Sequence, residues 1–343
     1  MRKLFLIAAL GFTLFSVASA QDGSRTSPVF NRYGQNLEKS GDGWIVPNEA
    51  RLASRFNFDP NIVEGWREPW KYVPDRIQPD DMKKYILDSC TYKIYPDYTL
   101  KMDVYLPKNQ GNVPFPFVLI IHGGGWTTGH RQTPNMVVIA EWFASNGIAC
   151  MSVSYTLSGQ GTFENTKADL NDALKFIGDH ARQWKVDPAR FGFYGFSAGG
   201  HLSAYMAMTT PGTRMFIAAA GPADMTRQAD GYTREGVNSR MALYWGVTEN
   251  NIESLRKASP FFLIPQPGAK IPPALIIQGL MDGTVNPQQS IDFASELMKK
   301  GASDVAFMGL SYMGHTTVNQ RNYYFEDQMF QLLSFAKQHL NKK

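Results

Sequence analysis

A hydroxyl, an imidazole and a carboxylate can together break an acyl bond, because the imidazole takes the hydroxyl's proton while the carboxylate orients the imidazole. In this chain of 343 residues the hydroxyl candidate is Ser197, in Gly195-Phe196-Ser197-Ala198-Gly199. It lies between an apolar run, Phe191 to Tyr194, and a small-residue stretch from Ala198 to Met208. A serine between a strand and a helix, with glycine two residues to either side, sits on a tight turn that exposes its hydroxyl above the sheet.

Six histidines could serve as the base: His122, His130, His180, His201, His315 and His339. His180 and His339 fall in helical stretches bearing lysine or arginine and are expected to be solvated. His201, four residues past Ser197 in the helix that the serine introduces, is expected to pack or cap. His130 sits in a polar loop, and His122 closes an apolar strand before three glycines, where it would brace the loop. His315, in Ser311-Tyr312-Met313-Gly314-His315-Thr316 after the last strand, can reach back across the sheet edge to Ser197. The acid candidates are Asp282, in Gln278-Gly279-Leu280-Met281-Asp282-Gly283, and Asp224 after the preceding strand. Asp282 is preferred because its strand comes next before the one that carries His315, and Gly279 and Gly283 allow a tight loop.

His122-Gly123-Gly124-Gly125-Trp126 follows the strand Phe117 to Ile121. Attack on an acyl carbon makes an oxyanion, and backbone N–H groups free of side chains can meet it. No G-x-x-x-x-G-K-[ST] pattern follows, so a phosphate cradle fits poorly.

These groups need a scaffold. Strands are expected at Cys90 to Tyr95, Thr99 to Leu106, Phe117 to Ile121, Ile148 to Tyr155, Phe191 to Tyr194, Met215 to Ala220, Ala274 to Ile277 and Val305 to Leu310. Helices are expected at Pro134 to Ser145, Thr166 to Trp184, Ala198 to Met208, Pro287 to Lys300 and Phe325 to Leu340. The alternation predicts an α/β fold with a mostly parallel eight-stranded sheet and helices on both faces. About fifty residues between the strands near 220 and 274, within 222–272, exceed an ordinary crossover and read as a small lid. Trp126 beside the glycines, and Tyr232 and Trp245 in that insertion, are expected to contact substrate.

Residues 1–20 read as a signal peptide, with Arg2 and Lys3, an apolar core from Leu4 to Val17 and Ala18-Ser19-Ala20 before the cut. That core is shorter than the ~20 residues of a spanning helix. A periplasmic or extracellular protein, with no membrane insertion once the leader is cleaved, is therefore expected. Residues 21–87, with scattered prolines and Trp44, Trp66 and Trp70, read as an extension wrapped around the domain, and 88–343 as the catalytic domain. Lys and Arg number 34 against 30 Asp and Glu, a near balance that gives no reason to expect nucleic acid as a partner. Cys90 and Cys150 are expected to be free thiols, and their spacing matches no metal motif. No cofactor or metal is expected.

From about Asp88 onward the chain resembles the α/β-hydrolase superfamily, and within it the HGGG-bearing esterases related to hormone-sensitive lipase and to bacterial feruloyl and acetyl-xylan esterases. The order Ser197, Asp282, His315 is the one such enzymes use. The resemblance implies Ser197 as nucleophile, Asp282 as orienting acid, His315 as base, and Gly124, Gly125 and Ala198 as oxyanion donors. Asn286 departs from the pattern, standing where a small apolar residue or proline is common. The resemblance implies a serine carboxylesterase working through an acyl-enzyme on a small-molecule or polysaccharide ester, with short-chain or aromatic acyl groups, acetyl or feruloyl on plant polysaccharides, expected; the leader segment adds that it is secreted. Two rivals share the scaffold: a serine peptidase or amidase, and a non-catalytic binding protein. Oligomeric state is not legible.

Overall fold

An apolar run such as Phe117-Val118-Leu119-Ile120-Ile121 can be buried on both faces only at the middle of a covered sheet, and each of those five residues is buried. The structure, a computed structural model, describes residues 77, 79–108, 111, 113–228, 240–247, 253–315 and 324–341, and the backbone of short strands before them. Eight strands carry the domain: β1 (Tyr85–Ile94), β2 (Thr99–Pro107), β3 (Phe115–Ile121), β4 (Ala149–Val153), β5 (Val186–Phe196), β6 (Met215–Ala219), β7 (Ala274–Gly279) and β8 (Val305–Leu310). Their order in the sheet is β8-β7-β6-β5-β3-β4-β2-β1, and Phe5–Leu6 adds a two-residue strand beside β8. The pairs β3–β4, β3–β5, β5–β6, β6–β7 and β7–β8 are parallel, whereas β2 is antiparallel to both β1 and β4. Val29–Phe30, Asn36–Ser40 and Gly43–Ile45 form a separate three-stranded sheet.

The helices are α1 (Pro134–Ser145), α2 (Phe163–Asp179), α3 (Ala198–Thr209), α4 (Arg240–Trp245), α5 (Glu253–Ala258), α6 (Pro287–Lys300) and α7 (Phe325–Leu340). One apolar layer joins Val118 and Ile120 to Met136 and Ile139 of α1 and to Met329 and Leu332 of α7. The opposite layer joins Phe117, Leu119 and Ile121 to Ala173 and Ile177 of α2, Leu202 and Met206 of α3 and Phe293 and Leu297 of α6. Successive residues of β3 thus feed the two layers alternately, as side-chain alternation along a strand requires.

Three differences from the sequence-based expectation have local causes. β1 starts at Tyr85, so a boundary at residue 88 falls inside a strand. The edge position leaves Ile86 and Leu87 exposed, which erases the alternation that would have marked the strand. The helix expected over 166–184 starts at Phe163, where the Asn165 side chain accepts from the Thr162 N–H at 2.9 Å, and ends at Asp179. A separate turn, Ala181–Trp184, follows. Between β6 and β7 the described residues include α4, α5 and the turns Met225–Gln228 and Pro260–Leu263, and no strand.

Candidate active site

Between β5 and β3 the chain reverses its direction of travel across the sheet, and the crevice at such a switch point is where α/β sheets bind ligands. The carboxyl ends of β3, β5, β7 and β8 carry His122, Ser197, Asp282 and His315 respectively.

Ser197 is the pivot between β5 and α3, with φ 57° and ψ −121°, a conformation that costs on the order of 1–3 kcal/mol for a residue with a side chain. Neighbouring contacts hold it there. The Ser197 N–H donates to the Ala219 carbonyl at 2.8 Å, and the Ser197 carbonyl accepts from His201 N–H at 3.0 Å. The flanking glycines are required by close approach: a Cβ on Gly195 would lie 2.0 Å from the Gly199 oxygen, and one on Gly199 would lie 1.9 Å from the Ile121 oxygen.

His315 Nε2 is 2.8 Å from Ser197 Oγ, and its Nδ1 is 2.7 Å from Asp282 Oδ2. The carboxylate fixes the tautomer: Nδ1–H donates to Asp282, leaving Nε2 as the acceptor for the serine O–H. Asp282 has no exposed side-chain surface, and four donors compensate its burial. Oδ1 accepts from the N–H groups of Thr284 (2.8 Å) and Val285 (2.9 Å), while Oδ2 accepts from Gln278 Nε2 (2.8 Å) as well as from His315. The loops after β7 and β8 are joined by backbone: Met281 N–H donates to the Met313 carbonyl at 3.0 Å, and Leu280 N–H donates to Leu310 at 3.0 Å. Asp224 is engaged elsewhere, by Thr226 and Arg227, so of the two acid candidates only Asp282 meets the imidazole.

The glycine loop lies against the serine turn. A Cβ on Gly123 would come within 2.8 Å of the Phe196 oxygen and 3.1 Å of Ser197 Cβ. Gly124 and Gly125 have φ of 119° and 57°, and the Gly124 carbonyl accepts from the Thr127 and Thr128 N–H groups at 3.1 and 3.0 Å. Ala198 opens α3, where first-turn N–H groups have no intrahelical acceptor and the helix dipole favours negative charge.

The remaining histidines divide by burial. His122 is wholly buried, stacks on Tyr155 with ring centroids 4.3 Å apart and donates Nδ1–H to the Gly123 carbonyl at 2.7 Å. Burial pushes its pKa down to about 4. His201 is likewise pushed down to about 4 by burial, and its Nε2 donates to the Ala258 carbonyl at 2.7 Å, tying α3 to the end of α5. His339 is buried against Phe335, with Nε2 3.1 Å from Asp304, and His180 is half-buried between Phe176 and Trp184. Neither is the solvated side chain its helix composition implied, because each turns its ring to an aromatic neighbour.

Two of the expected substrate contacts are corrected. Trp126 and Trp245 are 5% and 3% exposed. They pack edge-to-face on each other, with centroids 5.0 Å apart, and on His201. Trp245 ends a short helix, and both rings are turned inward against His201 rather than facing solvent. Tyr232 lies outside the described residues, as do residues 229–239 and 248–252 of the insertion. Cys90 and Cys150 are free, the first half-buried and the second buried. Asn286 caps α6, its side chain accepting from Gln288 N–H at 2.9 Å. Among the described residues no group of three or more His, Cys, Asp or Glu could hold a metal ion, and no helix is long and apolar enough to cross a membrane. Reading from sequence assigned nothing to Gln278, although a polar residue closing the apolar run Ala274 to Ile277 marks it.

The BD-FAE family model matches residues 102–297, which reach from β2 to α6 and include Ser197 and Asp282. His315 lies beyond the match. The chain is 23% identical over 222 residues to Probable isoprenylcysteine alpha-carbonyl methylesterase ICMEL1 of Arabidopsis thaliana, across 59% of this chain and 45% of that protein. It is 29% identical over 215 residues to Probable carboxylic ester hydrolase LipM of Mycobacterium tuberculosis, across 58% and 49%. The chain thus spans about half the length of the curated relatives it matches. A truncated carbohydrate esterase from gut microbiota has a similar fold, with TM-score 0.62 and 21% identity over 76% of this chain and 98% of that one. A serine turn at the centre of an eight-strand order of this kind, with the family match running through it, makes the chain an α/β-hydrolase that belongs to the BD-FAE family.

Proposed function

We propose that this chain is an exported serine carboxylesterase that removes short or aromatic acyl groups, acetyl or feruloyl, from plant polysaccharides through an acyl-enzyme. The observation that carries the reading is the continuous hydrogen-bonded row from Ser197 through His315 to Asp282, at 2.8 and 2.7 Å. The leader-like segment at residues 1–20 and the carbohydrate esterase among the structural relatives support export and a carbohydrate ester.

In this reading Ser197 Oγ bonds to the acyl carbon as its proton passes to His315 Nε2, and the carbonyl electron pair moves onto oxygen. The N–H groups of Gly124, Gly125 and Ala198 receive that oxyanion. His315 then gives its proton to the departing alcohol oxygen as the ester C–O bond breaks. Water attacks the acyl-enzyme, surrenders a proton to the same nitrogen, and Ser197 leaves as that proton returns to its oxygen. Asp282 holds the Nδ1–H throughout and steadies the imidazolium.

The test uses p-nitrophenyl acetate, acetylated xylan, methyl ferulate and aminoacyl p-nitroanilides, with Ser197→Ala beside wild type. Turnover of p-nitrophenyl acetate and at least one carbohydrate or ferulate ester, lost in the variant, is expected. Release from the anilides alone would favour a peptidase or amidase. Equal rates in the two proteins would overturn the serine mechanism.

A further inference from the structure

We infer that Gln278 is a positioning residue for the acid–base pair, acting with Ser290 as a relay behind Asp282; this rests on the esterase reading above. Gln278 is wholly buried at the end of β7. Its Nε2 donates to Asp282 Oδ2 at 2.8 Å, the same oxygen that accepts His315 Nδ1–H at 2.7 Å. Nε2 also faces the carbonyls of Gly279 (3.2 Å) and Val285 (3.5 Å). Three acceptors around one end of the amide oblige that end to be the NH2. The other end, Oε1, accepts from Ser290 Oγ of α6 at 2.8 Å.

Five groups therefore stand in one row: the Ser290 hydroxyl, the Gln278 amide, the Asp282 carboxylate, the His315 imidazole and the Ser197 hydroxyl. Thr284 and Val285 hold Oδ1 of Asp282 through the backbone, which fixes where the carboxyl group sits. Oδ2 alone faces the imidazole, and without Gln278 it would have a single donor and freedom to rotate out of line with Nδ1–H. The amide also matches part of the carboxylate's charge from the side opposite the histidine. A donor to a charged acceptor in a dry site is among the stronger protein hydrogen bonds. The structural alternative, in which Gln278 merely joins β7 to α6, predicts lower stability with intact turnover.

The experiment measures kcat, KM and their pH profiles with p-nitrophenyl acetate for wild type, Gln278→Leu, Gln278→Glu and Ser290→Ala, alongside thermal melting and Ser197→Ala. Gln278→Leu keeps the approximate volume and removes the donor, and its kcat is expected to fall by roughly tenfold to a hundredfold with little change in KM. Ser290→Ala is expected to lower kcat several-fold, since it loosens the amide without removing it. In Gln278→Glu the introduced carboxyl sits beside Asp282, and two adjacent carboxylates share a proton rather than ionise together. While that proton is present the O–H donates as the amide did, so kcat recovers toward wild type at mildly acidic pH. As the proton leaves, kcat declines, giving this variant an alkaline limb that wild type lacks.

Wild-type kcat in Gln278→Leu, or a Gln278→Glu profile parallel to wild type, would overturn the inference. Should Gln278→Leu fail to fold, the Gln278→Glu profile decides alone. An inactive Ser197→Ala with unaffected Gln278 variants sinks only the relay. An active Ser197→Ala sinks the esterase reading with it.

Discussion

Adding one methyl at Gly279 should separate the base from the nucleophile. Its Cβ would stand 2.4 Å from the Met313 carbonyl oxygen and 2.8 Å from that of Gly314, two residues and one residue before His315. Ordinary contact begins near 3.4 Å, so the β8 loop must retreat by about 1 Å, a distance that a packed interior does not absorb for free. Moving His315 by that amount stretches its 2.8 Å contact with Ser197 Oγ past hydrogen-bonding range. Misplacement of about 1 Å at a reacting group costs on the order of a hundredfold in rate, or about 2.7 kcal/mol. Gly279→Ala should therefore lower kcat/KM for p-nitrophenyl acetate by about two orders of magnitude, chiefly in kcat. Overpacking should also cost roughly 1–3 kcal/mol of stability. Gly283→Ala is the control: nothing lies within 4 Å of its added Cβ, and its kinetics should stay close to wild type. A folded Gly279→Ala protein with kcat/KM within about threefold of wild type would refute the idea that backbone contact between the two loops sets the catalytic distance.

Two further outcomes follow from the hydrogen bonds and burial around the site. In Asp282→Asn the N–H groups of Thr284 and Val285 keep the amide oxygen on their side, turning the NH2 toward His315 Nδ1 and forcing the wrong tautomer. Its kcat should fall by about four orders of magnitude with melting temperature shifted by only a few degrees, and a fall below tenfold in steady-state assays would contradict the assigned tautomer. His122 and His201 have folded pKa values of about 4 against 6.5, so the unfolded chain takes up protons that the folded chain refuses. Their share of stability is complete above about pH 6.5 and is lost as pH falls toward about 4, up to roughly 3 kcal/mol each. Urea titrations should show a shallower acid slope for His201→Gln, and an unchanged slope would mean that this ring is not the titrating group.

Much of this scaffold can be read directly from residue pattern. α1, α6, β8 and α7 begin and end where proline, glycine and apolar spacing put them, since those signals act within a few residues. Ser197, Asp282 and His315 could be chosen because each needs a particular position relative to a strand end, and strand ends were visible. Trp126 and Trp245 defeated the same approach: an indole beside a glycine loop looks like a ligand contact until tertiary packing turns it inward against His201. His339 failed for a related reason, since its helix is basic near the end but its own ring faces Phe335 and Asp304. Gln278 stands out as a polar residue closing an apolar run, but its role could not be read because it depends on Ser290 and Asp282, twelve and four residues away, converging from a helix and a loop.

The contacts that fix the site are mostly between backbones. Gly199 against Ile121, Gly123 against Phe196 and Gly279 against Met313 each bring main chain to main chain at distances no Cβ could survive. These three approaches connect the start of α3 to the end of β3, the glycine loop to the serine turn, and the β7 loop to the β8 loop. The first two frame the nucleophile and the glycine loop, and the third frames the acid and the base. Side chains such as Phe196 and Trp126 can change around that frame with local cost, because rotamers and small shifts absorb them. A single added methyl at one of its junctions has no such outlet, and must displace a strand end together with whatever reactive group that end carries.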